Sequence, residues 1–81
     1  MVPNLSRHRK NRALVALGAV IREKRLAVGL SQEQLAFIAE LDRSYVGQIE
    51  RGDSNVTVLN LRQLAQALGT SIEEIAGAAS I

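Results

Sequence analysis

Apolar positions along this chain recur at helical spacing, and no stretch alternates with the period of a strand. Leu14, Leu17 and Ile21 stand at i, i+3 and i+7 and predict a first helix from about Asn11 to Val28. Gly29 closes it as a left-handed cap. Ser31-Gln32-Glu33-Gln34 fits a reciprocal capping box and opens a second helix, with Leu35, Ala36, Ile38 and Ala39 as its inward face. Asp42 caps a short third helix that buries Val46 and Ile49 and ends at Gly52. Asp53-Ser54-Asn55-Val56 reads as a polar loop. A fourth helix from about Val58 carries Leu61, Leu64, Ala65 and Leu68 at i, i+3, i+4 and i+7 and stops at Gly69. A second capping box, Ser71-Ile72-Glu73-Glu74, opens a fifth helix to about Ala79. The expected fold is all-α, with five helices in one compact domain over residues 11–81 and a basic tail over residues 1–10.

Composition narrows the chemistry. A chain of 81 residues, 47% of them hydrophobic, holds one core and is too short for two. Phe37 and Tyr45 are the only aromatic residues, too few for a single-strand binder built on stacked rings. There is no Cys, and His8 is the only His, which argues against thiolate metal sites and against Ser-His or Cys-His catalysis. Glu73 and Glu74 suit a capping box and the dipole of a first helical turn better than paired-carboxylate chemistry. No cofactor, no metal and no catalytic residue is expected.

Charge is informative in its distribution. Residues 1–30 carry seven bases against one acid, a net of +6, and residues 31–81 carry three bases against seven acids, a net of −4. The basic head suits a polyanion such as DNA or an acidic membrane surface, or is simply a solvated tail. His8 shares that choice, as an exposed tail residue or a phosphate contact. The head also imitates a secretory signal, but its apolar run Ala13–Ile21 ends in Arg22-Glu23-Lys24-Arg25 without a small-residue cleavage site. The run is far short of the roughly 20 residues that span a bilayer. It reads as a core helix, in a cytoplasmic protein with no membrane partner.

The informative window is Gln32 to Arg51. A helix-turn-helix needs a small residue where its helices cross, and Ala36 stands there. Leu35, Leu41, Val46 and Ile49 occupy the inward spacings, while Arg43, Ser44, Gly47, Gln48 and Arg51 share the opposite face. Arg and Gln can make bidentate hydrogen bonds to base edges, Arg to guanine and Gln to adenine. Each residue taken singly also fits an ordinary polar surface; the whole pattern points to DNA.

Leu30 to Ala36, then Leu41-Asp42-Arg43-Ser44-Tyr45-Val46 and Ile49-Glu50-Arg51-Gly52, resembles the lambda-repressor/Cro (XRE) family. Asn55 to Leu61 and Leu64 to Gly69 extend the likeness, which runs roughly from Leu17 to Ile75. Asp42-Arg43-Ser44-Tyr45 and the short chain further resemble the controller proteins of restriction–modification systems. The resemblance implies that Arg43, Ser44 and Gln48 read bases in the major groove, with Tyr45 a further candidate at its edge. Packing of the Tyr45 ring on the second helix, with the hydroxyl offered to a phosphate, is the alternative. It implies that Gln32 and the amide of Ser31 hold a phosphate at a helix N-terminus. Arg51, Asn55 and Thr57 lie where the following loop approaches the backbone. An ion pair between Arg25 and Glu50 is implied as well, and expected to be buried. Glu40 stands where the wider family often has Gly, and a left-handed conformation there costs about 1–2 kcal/mol. Gly47 either lets the helix sit deeper in the groove or is a tolerated surface glycine.

One recognition helix reads only a few base pairs, so the family usually works as dimers on palindromes. Ile72, Ile75, Ala76 and Ala79 form a stripe on the fifth helix, with Ile81 beyond, and part of it is expected to face a twin subunit. The function expected is a sequence-specific, double-stranded DNA-binding transcription regulator. It would act as an autoregulatory homodimer that blocks or recruits RNA polymerase. The rival is an antitoxin-like or antirepressor-like interaction module on the same fold.

Overall fold

The computed structural model describes residues 11–81, so the basic tail and His8 lie outside the described residues. Five helices follow one another: α1 Arg12–Ala27, α2 Gln32–Ala39, α3 Arg43–Arg51, α4 Val58–Ala67 and α5 Ile72–Ala79. All five predicted helices are present, with ends within two residues of expectation. No strand occurs among the described residues, and none of their helices is long and apolar enough to cross a membrane.

Local chemistry explains the helix ends. The Asn11 side chain caps α1 by accepting from the amides of Ala13 and Leu14. Ser31 and Gln34 form the full capping box of α2, and Thr57 caps α4 through the Asn60 amide. Two expectations need correction. Asp42 stands at the N-cap of α3 but makes no side-chain cap bond. The second capping box is half formed, because Ser71 accepts from the Glu74 amide while the Glu74 carboxylate accepts from the Thr70 hydroxyl. That bond holds the Glu74 pKa below its usual value.

Each helix ends with the paired 6→1 and 5→2 backbone bonds of a Schellman motif. At the end of α2 these run from Leu41 to the Ala36 carbonyl at 2.8 Å and from Glu40 to the Phe37 carbonyl at 3.2 Å. Glu40 therefore takes the left-handed conformation, at φ 60° and ψ 43°. The motif and the burial of Ala36 and Ala39 hold it there against its steric cost.

Packing places α1 against α3 and α5, and α2 against α3 and α4. Ile21, Leu35, Val46, Ile49, Leu64 and Ile75 are fully buried, so every helix contributes to one core. Leu61 packs at its margin, and Leu14 is only half-buried. Ile38, expected inside, is 51% exposed: α3 and α4 cover the Leu35–Ala36–Ala39 side of α2 and leave Ile38 and the 85%-exposed Phe37 outside. Gly18 marks the closest helix crossing. A Cβ there would collide with the carbonyl oxygens of Ile49 and Glu50, so α1 lies directly on the α3 backbone.

Candidate nucleic-acid interface

The second helix of the α2–α3 pair divides into two faces. Val46, Ile49 and Glu50 point inward and are buried, while Arg43, Ser44, Gln48 and Arg51 stand exposed on the opposite side. Gly47, expected on that outer stripe, is buried instead. A Cβ on it would lie 3.2 Å from Nη1 of Arg51 and 3.7 Å from Oε1 of Gln32, so these two side chains close over it.

The outer face is held from behind by the Arg25–Glu50 pair. Arg25 donates from Nε to Oε2 of Glu50 at 2.6 Å and from Nη2 to Oε1 at 3.0 Å, a bidentate fork. Its Nη1 donates to the Leu30 carbonyl at 2.8 Å. The two side chains are 9% and 2% exposed, so the pair is buried as expected. The hydrogen bonds to Glu50 raise the Arg25 pKa against the opposing effect of burial, and the guanidinium stays charged throughout the neutral range. Among the described residues no buried side-chain nitrogen or oxygen lacks a partner.

Gln32, the first residue of α2, joins this network by donating from Nε2 to Oε1 of Glu50 at 3.0 Å. Its amide keeps one hydrogen for another acceptor. Ser31 requires a correction, because its own amide donates to Oε1 of Gln34 at 2.8 Å and is not free for a phosphate. A complete capping box consumes that donor; the amides left without an intrahelical acceptor are those of Gln32 and Glu33.

Tyr45 is tied to the loop after α3. Its ring packs against the core, and its hydroxyl donates to the Asn55 carbonyl at 2.9 Å while accepting from Nδ2 of Asn60 at 3.1 Å. The single phenolic proton is committed to the loop, so Tyr45 shapes the path after α3. Arg51 forms a surface ion pair with Asp53 at 3.2 Å, of the exposed kind worth at most about 1 kcal/mol, and can leave it for a stronger anion. Asn55 is exposed, and Thr57 accepts at its cap from Asn60 while its hydroxyl proton stays available. Arg43 and Ser44 make no side-chain hydrogen bond to the described residues, whereas Oε1 of Gln48 accepts from the Ser54 hydroxyl at 2.8 Å.

The fifth-helix stripe splits. Ile75 and Ala79 are buried in their own core and cannot also face a twin. Ile72 and Ala76 are half-buried and Ile81 is exposed, so these three remain accessible on the surface. Three structural residues escaped the sequence reading. Gly18 had a usable signal, since glycine inside a strong helical run costs about 1 kcal/mol against Ala unless something needs the space. Ser54 and Asn60 had none; only the folded path of the chain brings them to Gln48 and Tyr45.

The helix-turn-helix family HTH_3 matches residues 21–75. Control protein C.SmaI of Serratia marcescens is 47% identical over 55 residues, which is 68% of this chain and 66% of that protein. Control protein C.BamHI of Bacillus amyloliquefaciens is 36% identical over 66 residues, covering 80% of this chain and 82% of the relative. The crystal structure of the restriction–modification controller protein C.AhdI from Aeromonas hydrophila superposes with a TM-score of 0.79 at 51% identity, over 80% of this chain and 98% of that one. The same all-helical architecture thus carries an outward polar stripe in a chain that belongs to the XRE-type helix-turn-helix family of DNA-binding transcription regulators.

Proposed function

We propose that the protein binds a palindromic operator as a homodimer in the cytoplasm and regulates its own promoter, by excluding or recruiting RNA polymerase. Its likeness to restriction–modification control proteins further supports control of such a system. One observation carries the reading: Arg43, Ser44 and Gln48 are exposed together on a helix whose back is locked by a buried ion pair. That is the preorganised polar face that base reading requires. Gln32, Arg51, Asn55 and Thr57 flank it and hold phosphates, which position the helix without specifying bases. Ile72, Ala76 and Ile81 contribute to the dimer surface.

Binding-site selection tests this. The wild type should return inverted half-sites; single, unpaired half-sites would overturn the dimer. Arg43→Ala should become indifferent to one base in each half-site, weakening the preferred sequence by about 5- to 150-fold, the range of a bidentate contact worth roughly 1–3 kcal/mol. Gln48→Ala should relax a different position, and Gln32→Ala should weaken all sequences alike. Unchanged preference in both Arg43→Ala and Gln48→Ala would overturn the placement of α3 in the groove.

Gly47→Ala separates stability from binding. Removing a mid-helix glycine should stabilise the domain by up to about 1 kcal/mol, since the Arg51 terminus nearest the new methyl is flexible and exposed. The same methyl pushes the Arg51 guanidinium aside and only touches Gln32, so operator affinity should fall while the melting temperature rises. A variant that binds as tightly as the wild type would show that the packing of these two side chains over Gly47 does not matter to the complex.

A further inference from the structure

We propose that Ser54, in the loop after α3, is a positioning residue that fixes which end of the Gln48 amide meets the base. The proposal rests on the reading that Gln48 enters the major groove. A free glutamine on a helix surface rotates among many rotamers and can offer either its carbonyl or its amino end. In adenine recognition it offers both, accepting from N6 through Oε1 and donating to N7 through Nε2. Here Oε1 of Gln48 accepts from the Ser54 hydroxyl at 2.8 Å, which turns that end toward the loop and leaves Nε2 as the outward group.

Ser54 itself is held from both sides. The Asp53 amide donates to the Gln48 carbonyl at 2.9 Å and locks the chain to the end of α3. On the other side the Tyr45 hydroxyl donates to the Asn55 carbonyl, and Asn60 holds that hydroxyl in turn. The half-buried Ser54 therefore sits on a braced loop, and its grip on Gln48 is part of the folded framework. An outward amino group is a donor and matches base edges that present acceptors. Guanine presents two in the major groove, O6 and N7, whereas adenine pairs its N7 acceptor with an N6 donor that needs the carbonyl end, which the Ser54 bond holds toward the loop. The arrangement assigns Gln48 to guanine.

Site selection with wild type, Ser54→Ala, Ser54→Thr, Gln48→Ala and the Ser54→Ala/Gln48→Ala double variant, each checked by thermal melting, tests the assignment. The position that Gln48→Ala relaxes should be guanine in the wild type, by about fivefold or more over the other bases, the low end of one good base contact. Ser54→Ala should move that one position toward adenine and leave the rest of the site unchanged. Ser54→Thr, which keeps the hydroxyl, should restore guanine, and the double variant should select like Gln48→Ala alone. Adenine at that position in the wild type, an unaltered preference in Ser54→Ala, or a uniform loss across all sequences would overturn the role of Ser54 while leaving Gln48 a base reader. An unaltered preference in Gln48→Ala would overturn the placement of Gln48 in the groove and this proposal with it.

Discussion

Glu50→Gln is expected to destabilise the domain by about 3–5 kcal/mol, the usual result of stranding one charge of a buried pair. Three hydrogen bonds converge on the Glu50 carboxylate, two from Arg25 and one from Gln32. A neutral amide can still accept at its oxygen, but its amino end faces a guanidinium that only donates. Arg25 would keep the Leu30 carbonyl and lose its counter-charge in a setting where its side chain is 9% exposed. Small domains are stable by only about 5–15 kcal/mol in all, so a loss of this size takes away a large fraction. At about 4–8 °C per kcal/mol for a domain of this size, the melting temperature should fall by about 12 °C or more. Melting within a degree or two of wild type would show that the pair contributes little. Replacing both partners with apolar residues of similar volume should recover much of the loss, because a buried pair and a well-packed apolar substitute are often close in energy.

Gly18→Ala should produce the second large loss. The added methyl meets backbone carbonyl oxygens, with that of Glu50 at 2.7 Å and that of Ile49 closer still. No side chain can swing aside, so α1 must move off α3, and overpacking of this kind costs about 1–3 kcal/mol or more. Helix propensity works the other way by about 1 kcal/mol and is outweighed. Gly77 provides the control, since a methyl there meets nothing within 4 Å. Urea denaturation should show Gly77→Ala neutral or stabilised and Gly18→Ala destabilised; equal behaviour would mean that the α1–α3 crossing yields easily.

Much of this molecule was legible before folding. Every helix is predicted by apolar spacing and end signals, the shared outer face of Arg43, Ser44 and Gln48 by helical spacing, and the Arg25–Glu50 pair by resemblance. The misreadings share a cause. Ile38 has the right spacing for the interior, but α2 has neighbours on only one side of its apolar arc. Ser31 was assigned two uses for one amide, and the capping box takes it. Gly47 has the spacing of the outer stripe, but the side chains of Arg51 and Gln32 close over it.

Helix ends were readable because both partners of each cap lie within a few residues, so the chain carries the whole interaction in consecutive letters: Ser31 with Gln34, Leu41 with Ala36, Thr57 with Asn60. The sequence by itself thus determined the helices, their ends and the polar stripe of the third. Contacts between elements depend on crossing angles and loop paths that no local pattern encodes. Gly18 on Ile49, Gln32 on Glu50, Ser54 on Gln48 and the division of the α5 stripe were decided only when burial of one small core fixed how the helices lie across each other.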